Sequence, residues 1–150
     1  MTLPARPRRS VLYMPGANAR ALDKARSLPA DTLILDLEDA VAPDAKAMAR
    51  DQVAAALRAG GYGHRECVVR VNALDTPWGL DDVRVIAQAG ADAVLLPKVQ
   101  SVAQLEALAQ ALDAAGAPAT LPLWAMAETP LGFLRLDAIC LLYTSDAADE

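Results

Sequence analysis

Charged and amide side chains recur where apolar runs end. Asp36, Glu38 and Asp39 close Leu33-Ile34-Leu35-Asp36-Leu37-Glu38-Asp39, and Arg70 and Asn72 close Val68-Val69-Arg70-Val71-Asn72. Lys98 follows Leu95-Leu96-Pro97, and Glu128 follows Trp124-Ala125-Met126-Ala127. Alternate residues of an extended strand share a face, so Ile34, Asp36 and Glu38 point the same way. Carboxylates beside Arg and Lys suit a hard cation such as Mg²⁺ and an anionic, oxygen-rich substrate. Arg70 adds a planar fork that matches a carboxylate. A hydrolase could also use paired carboxylates, but nearby cations depress an acid's pKa, the wrong direction for general-acid work. Structural roles compete at each position. Asp39 could cap a helix or pair with Arg50, Arg70 and Glu128 could form a buried ion pair between strands, and Lys98 could be a solvated strand end.

The elements that must position these groups are legible as five short apolar runs, at 11–14, 32–37, 67–71, 93–96 and 121–126. Between them, 17–27, 43–59, 80–89 and 101–115 are rich in Ala, Leu, Gln, Arg and Glu, which lose little side-chain freedom in a helix. Pro43 suits a first turn, Asp81 and Ser101 are candidate N-caps, and Gly60-Gly61, Gly90 and Gly116 are stops. Alternating strands and helices predict βαβ units, and strands apolar on both parities predict a parallel sheet. The fold class is α/β, and the polar residues fall at strand carboxyl ends, where such folds place their sites. The turn after the first strand, Pro15-Gly16-Ala17-Asn18, lacks the GxGxxG of a dinucleotide-binding sheet. A closed (β/α)₈ barrel needs about 250 residues, so a barrel here would be partial, with about five βα units.

Composition narrows the function classes. The chain has 150 residues, 54% hydrophobic and 22% charged, which is the balance of one folded domain. Its net charge of −5, with no basic cluster longer than Arg6-Pro7-Arg8-Arg9, argues against nucleic-acid binding. No run reaches the roughly 18 apolar residues of a membrane span, and no apolar core follows the basic N-terminal residues, so a cytoplasmic location is expected. Cys67 and Cys140 lack metal or redox spacing and are read as buried small hydrophobes. His64, in a Gly-rich loop, is read as a surface residue.

Several segments together resemble the citrate lyase beta subunit-like and malyl-CoA lyase family of the HpcH/HpaI aldolase superfamily. They are Arg9-Ser10-Val11-Leu12-Tyr13-Met14-Pro15-Gly16, Leu35-Asp36-Leu37-Glu38-Asp39-Ala40-Val41 with Lys46 and Ala49-Arg50, Val69-Arg70-Val71-Asn72, Leu96-Pro97-Lys98, and Ala127-Glu128-Thr129-Pro130-Leu131-Gly132. The resemblance implies a TIM barrel and a Mg²⁺-dependent carbon–carbon lyase that cleaves, or forms, a 3-hydroxyacyl-CoA thioester to give an acyl-CoA and a 2-oxo acid. By analogy Glu128 is a direct Mg²⁺ ligand that also meets substrate, Arg70 grips the substrate carboxylate, and Glu38 and Asp39 hold metal-bound waters. Lys98 is a further polar site group, and Arg9 and Asn72 are placed on the substrate side, Arg9 with the Pro15-Gly16 turn towards CoA. A homo-oligomer, trimer or hexamer, is implied for the full-length form, with no membrane or nucleic-acid partner.

The resemblance covers about 8–139. Residues 1–139 are expected to form the partial barrel and 140–150 an atypical tail foreign to the family, because the family's second metal ligand, an Asp further along, has no counterpart unless Asp146 serves. As it stands the chain is therefore expected to be inactive. Two rival functions are an aldolase on free 2-oxo acid aldols without CoA and a non-catalytic assembly subunit.

Overall fold

The computed structural model describes residues 6–144. In chain order the elements are β1 (Val11–Pro15), α1 (Ala19–Ala25), β2 (Thr32–Asp36), a 3₁₀ turn (Pro43–Ala45) running into α2 (Lys46–Ala59), β3 (Glu66–Arg70), α3 (Gly79–Ile86), β4 (Ala93–Leu96), α4 (Val102–Ala114), β5 (Leu123–Ala125), α5 (Pro130–Leu134) and α6 (Leu136–Thr144). All five strands are parallel and lie in the order β1-β2-β3-β4-β5. That order separates the two architectures left open by the sequence. A doubly wound sheet reverses its strand order at a switch point, whereas a barrel adds each strand beside the last. The chain is a partial barrel.

Strand parity divides the sheet into two faces. Leu33, Leu35 and Leu37 join Val69, Val71, Val94 and Leu96 in the main core with the helix residues Val53, Val83, Leu105 and Leu108. Fully burying side chains of this size contributes about 1.5–3 kcal/mol each. The opposite face carries Ile34, Val68, Ala93 and Leu95, with Trp124 and Met126 packed against them and no helix residue among them. This is the barrel interior, and Asp36 and Arg70 continue it towards the carboxyl ends of the strands.

Punctuation follows local chemistry with one exception. Asn18 accepts from the Ala21 N–H at the start of α1, and the Gln104 side chain accepts from the Ser101 N–H before α4. Asp81 is not the cap expected of it: α3 begins after Trp78, so Asp81 lies within the first turn. The sequence gives no warning of α5 and α6. Thr129 caps α5 through the Gly132 N–H, with Pro130 in its first turn. The boundary expected at 139/140 falls inside α6, where Ile139 and Leu142 pack on the same core. Cys67 is buried as expected, and burial pushes its thiol up to about 12. Cys140 is exposed, because its helix turns Ile139 inward instead. Residues 145–150, including Asp146, lie outside the described residues. Among the described residues no helix is long and apolar enough to cross a membrane.

Candidate active site

Asp36 and Arg70 end adjacent strands and are register partners on the interior face. Their side chains therefore meet without a turn of either backbone. Arg70 Nε donates to Asp36 Oδ1 and Nη2 to Asp36 Oδ2, both at 2.7 Å. Asp36 also accepts the backbone N–H groups of Glu38 and Ala40 at 2.9 Å, which folds the chain back immediately after β2. Burial opposes its charge, yet these donors outweigh burial and hold its pKa below the ordinary carboxylate value. The fork that the sequence offered to a substrate carboxylate is thus engaged by Asp36. The remaining nitrogen, Nη1, faces Glu38 Oε2 at 3.1 Å and Met126 Sδ at 3.8 Å, while the guanidinium lies 4.9 Å from the centre of the Tyr13 ring.

Above this pair lies a second tier. Lys98 Nζ bonds the Glu38 carboxylate and reaches Asp39 Oδ1 at 3.3 Å. The bond to Glu38, against partial burial, holds the Lys98 ammonium above its ordinary pKa. Lys98 has φ +52°, the sole non-glycine residue with positive φ among the described residues, and its N–H donates to Glu128 Oε1 at 2.9 Å. Glu128 therefore fastens the backbone that presents the ammonium. Glycines allow this close assembly: a Cβ at Gly132 would sit 2.4 Å from the Val99 carbonyl oxygen, and one at Gly16 would sit 2.5 Å from that of Asp36. A cavity of about 510 Å³ opens beside Glu38, Asp39 and Lys98 and extends to Thr76, Trp78 and Gln104.

Glu38, Asp39, Arg70, Lys98 and Glu128 thus gather at one pole, as their strand-end positions predict. Two other expected site residues do not join them in that role. Arg9 precedes β1 at the opposite pole, where Nη2 and Nε grip Asp31 at 2.9 and 3.0 Å. An arginine before a strand is at its amino end, so Arg9 is removed from the substrate side. Asn72 lies at the correct pole but is only 2% exposed, with both ends of its amide bonded. Its Nδ2 donates to the Leu37 carbonyl and Asp82 Oδ2, and its Oδ1 accepts from Lys46 Nζ. Both Nδ2 hydrogens are thus committed within the protein.

Sequence reasoning missed that internal support. Lys46 Nζ donates to the carbonyls of Leu37 and Glu38, and Arg50 Nε binds Asp82 Oδ1 at 2.8 Å. A signal was available: Lys46 opens a helix, the end where the macrodipole disfavours a cation. Among the described residues no group of three or more His, Cys, Asp or Glu is arranged to hold a metal ion. The exposed carboxylate of Glu128, near Glu38 and Asp39, suits a hard cation that takes one or two protein carboxylates and completes its shell from substrate and water.

Comparison with known proteins places this geometry. The HpcH/HpaI aldolase/citrate lyase family pattern matches residues 9–148. A (3S)-malyl-CoA thioesterase of Cereibacter sphaeroides is 52% identical over 154 aligned positions, covering 97% of this chain and 52% of the relative. The citrate lyase subunit beta of Escherichia coli is 42% identical over 135, covering 87% and 45%. The chain thus spans about half the length of these curated relatives. The solved structure of the Mycobacterium tuberculosis citrate lyase beta subunit complexed with oxaloacetate and magnesium superposes with a TM-score of 0.66 at 33% identity, covering 88% of this chain and 54% of that one. The chain belongs to the HpcH/HpaI aldolase/citrate lyase family.

Proposed function

We propose that this pole is part of a Mg²⁺-dependent active site that cleaves, or in reverse forms, the carbon–carbon bond of a 3-hydroxyacyl-CoA thioester. The observation that carries the reading is the charge inventory: the carboxylates of Asp36, Glu38, Asp39 and Glu128 outnumber the side-chain cations beside them, Arg70, Lys98 and the buried Lys46, so the mouth has room for added positive charge. In cleavage the hydroxyl proton leaves, the bond to the carbon beside the thioester breaks, and its electrons move onto the thioester as an enolate that takes a proton. The products are a 2-oxo acid and an acyl-CoA.

Each group has a part in that sequence. Arg70 is held in plane by Asp36, and its Nη1, which faces Glu38, is the nitrogen left to meet the substrate carboxylate. Lys98 orients the Glu38 and Asp39 carboxylates. Glu128 would hold Mg²⁺ directly and Glu38 and Asp39 through waters. Bound there, the ion supplies Lewis-acid stabilisation of negative charge on the substrate oxygen.

The identity to a thioesterase favours a second reading, hydrolysis of the same class of thioester without carbon–carbon cleavage. One assay separates them. Full-length gene product is incubated with (3S)-malyl-CoA and Mg²⁺, and free thiol and 2-oxo acid are measured together. Lysis gives 2-oxo acid without thiol, and hydrolysis gives thiol without 2-oxo acid. Turnover of a free 2-oxo acid aldol lacking CoA would point to the sister aldolase chemistry, and no product from either substrate would overturn the enzymatic reading.

A further inference from the structure

We propose that Lys46 is a positioning residue for the mouth: its buried ammonium holds the carbonyls of Leu37 and Glu38 and so sets the Glu38–Asp39 acid pair facing Lys98. The inference rests on reading the carboxyl pole as the active site. Lys46 is 5% exposed, and its three donors reach three acceptors, Leu37 O at 2.8 Å, Glu38 O at 2.6 Å and Asn72 Oδ1 at 2.8 Å. Only an ammonium offers three donors from one atom. Burial lowers its pKa, against the pull of Glu38, Asp36 and Asp82, and the helix start is unfavourable for a cation, so the position carries a standing cost.

What the cost secures is backbone direction. The Glu38 and Ala40 N–H groups are bound on one side by Asp36, and the Leu37 and Glu38 carbonyls on the other by Lys46. The peptide planes on either side of Glu38 are therefore fixed, and the acid side chains project towards Lys98. The clamp is anchored in turn, since Asp82 binds both the N–H of Asn72 at 2.9 Å and its Nδ2 at 2.6 Å and is itself held by Arg50. Lys46 acts through the backbone, which makes it a positioning residue.

The test compares wild type with Lys46→Met by amide hydrogen exchange and by paramagnetic broadening with Mn²⁺, a probe that registers weak carboxylate sites. In wild type, Mn²⁺ should broaden the amides of Glu38, Asp39, Lys98 and Glu128 selectively. In Lys46→Met, exchange at Glu38 to Val41 should rise at least about tenfold while Val68 and Val94 hold, and broadening at Glu38 and Asp39 should fall by more than about half while Glu128 keeps its own. Unchanged exchange and unchanged broadening would overturn the proposal. Uniform acceleration across the sheet would also overturn it, by showing a purely global role. Should the variant not fold, the wild-type Lys46 Nζ protons decide: protection from solvent supports the clamp, and free exchange defeats it. Absence of selective Mn²⁺ broadening in wild type would count against the mouth as a cation site, with the exchange measurement still deciding on Lys46.

Discussion

Strand β3 carries one Arg–carboxylate fork at each end, and the two ends behave differently. At its amino end, Glu66 accepts Arg8 Nε at 2.6 Å and Nη2 at 2.8 Å, as Arg70 grips Asp36 at the carboxyl end. Around the amino fork each of three acids is closed by an arginine: Asp92 by Arg6, Glu66 by Arg8 and Asp31 by Arg9. The cavity there is about 250 Å³ and lined by groups already matched. Around the carboxyl fork, Glu38 and Asp39 share the Lys98 ammonium, while Glu128 accepts the backbone N–H of Lys98. The same motif is thus a fastener at one pole and the base of a reactive constellation at the other. Surplus charge, not the fork itself, marks the site.

Cutting each fork should give the largest effect and the sharpest contrast. Removing one partner of a buried pair costs about 3–5 kcal/mol because the other charge is stranded. Arg70→Met should lose stability in that range by urea unfolding, since the Arg70 and Asp36 side chains are 8% and 0% exposed. Arg8→Met should lose about 1–2 kcal/mol, because Arg8 is 46% exposed and water can replace part of what it gives Glu66. Equal losses would break the distinction between the poles.

Glu128→Gln tests the surplus directly. Its exposed side chain predicts a stability change within about 0.5 kcal/mol. The cleavage assay on full-length protein should lose at least about 100-fold in kcat/KM, equivalent to about 2.7 kcal/mol of barrier. Near-normal turnover would remove Glu128 from the proposed metal site and leave it as the cap of the Lys98 N–H.

The strands were legible because each is a compact apolar run, and the pole was legible because parity carries polar residues to strand ends. The pairing within the site was not. Asp36 and Arg70 meet only when β2 and β3 adopt parallel register, a relation that no local pattern encodes. Asn72 has the right position for a substrate contact, yet Lys46 and Asp82 reach it from α2 and α3, so its role depends on tertiary neighbours. Arg9 belongs to a recognisable segment, but it stands before β1, whereas the acid and cation cluster lies after the strands, a separation that only the fold reveals. Helices α5 and α6 escaped because the first is five residues long and the second lacks polar alternation.

A smaller effect should appear on acidification. The folded pKa values of Asp36, Asp39 and Glu66 lie below ordinary ones, and the Arg9 side chain, with its N–H, holds Asp31 at about 2. Depressed acids contribute stability that is complete above their unfolded pKa, about 4, and is lost as pH falls through the folded values. Stability measured by urea unfolding should therefore decline from about pH 4 downward. Asp36→Asn should flatten that decline more than Asp31→Asn, whose partner Arg9 is 79% exposed so that solvent screens the pair. The opposite ranking would mean that the amino pole, not the mouth, dominates acid sensitivity.

The smallest expected effect is at Arg9, and it bears on the comparison most specifically. Its side chain is 79% exposed and pairs with Asp31 at the closed pole, across the sheet from Arg70 and Lys98. Exposed pairs contribute about 0–1 kcal/mol, so Arg9→Ala should shift urea stability by no more than that. The cleavage assay should show KM for the CoA thioester and kcat within about twofold of wild type, because a side chain at strand amino ends does not reach a substrate seated at the carboxyl ends. A KM increase of about tenfold or more, with stability unchanged, would mean that a CoA-bearing ligand extends to the amino pole, and the division of labour between the two forks would have to be redrawn.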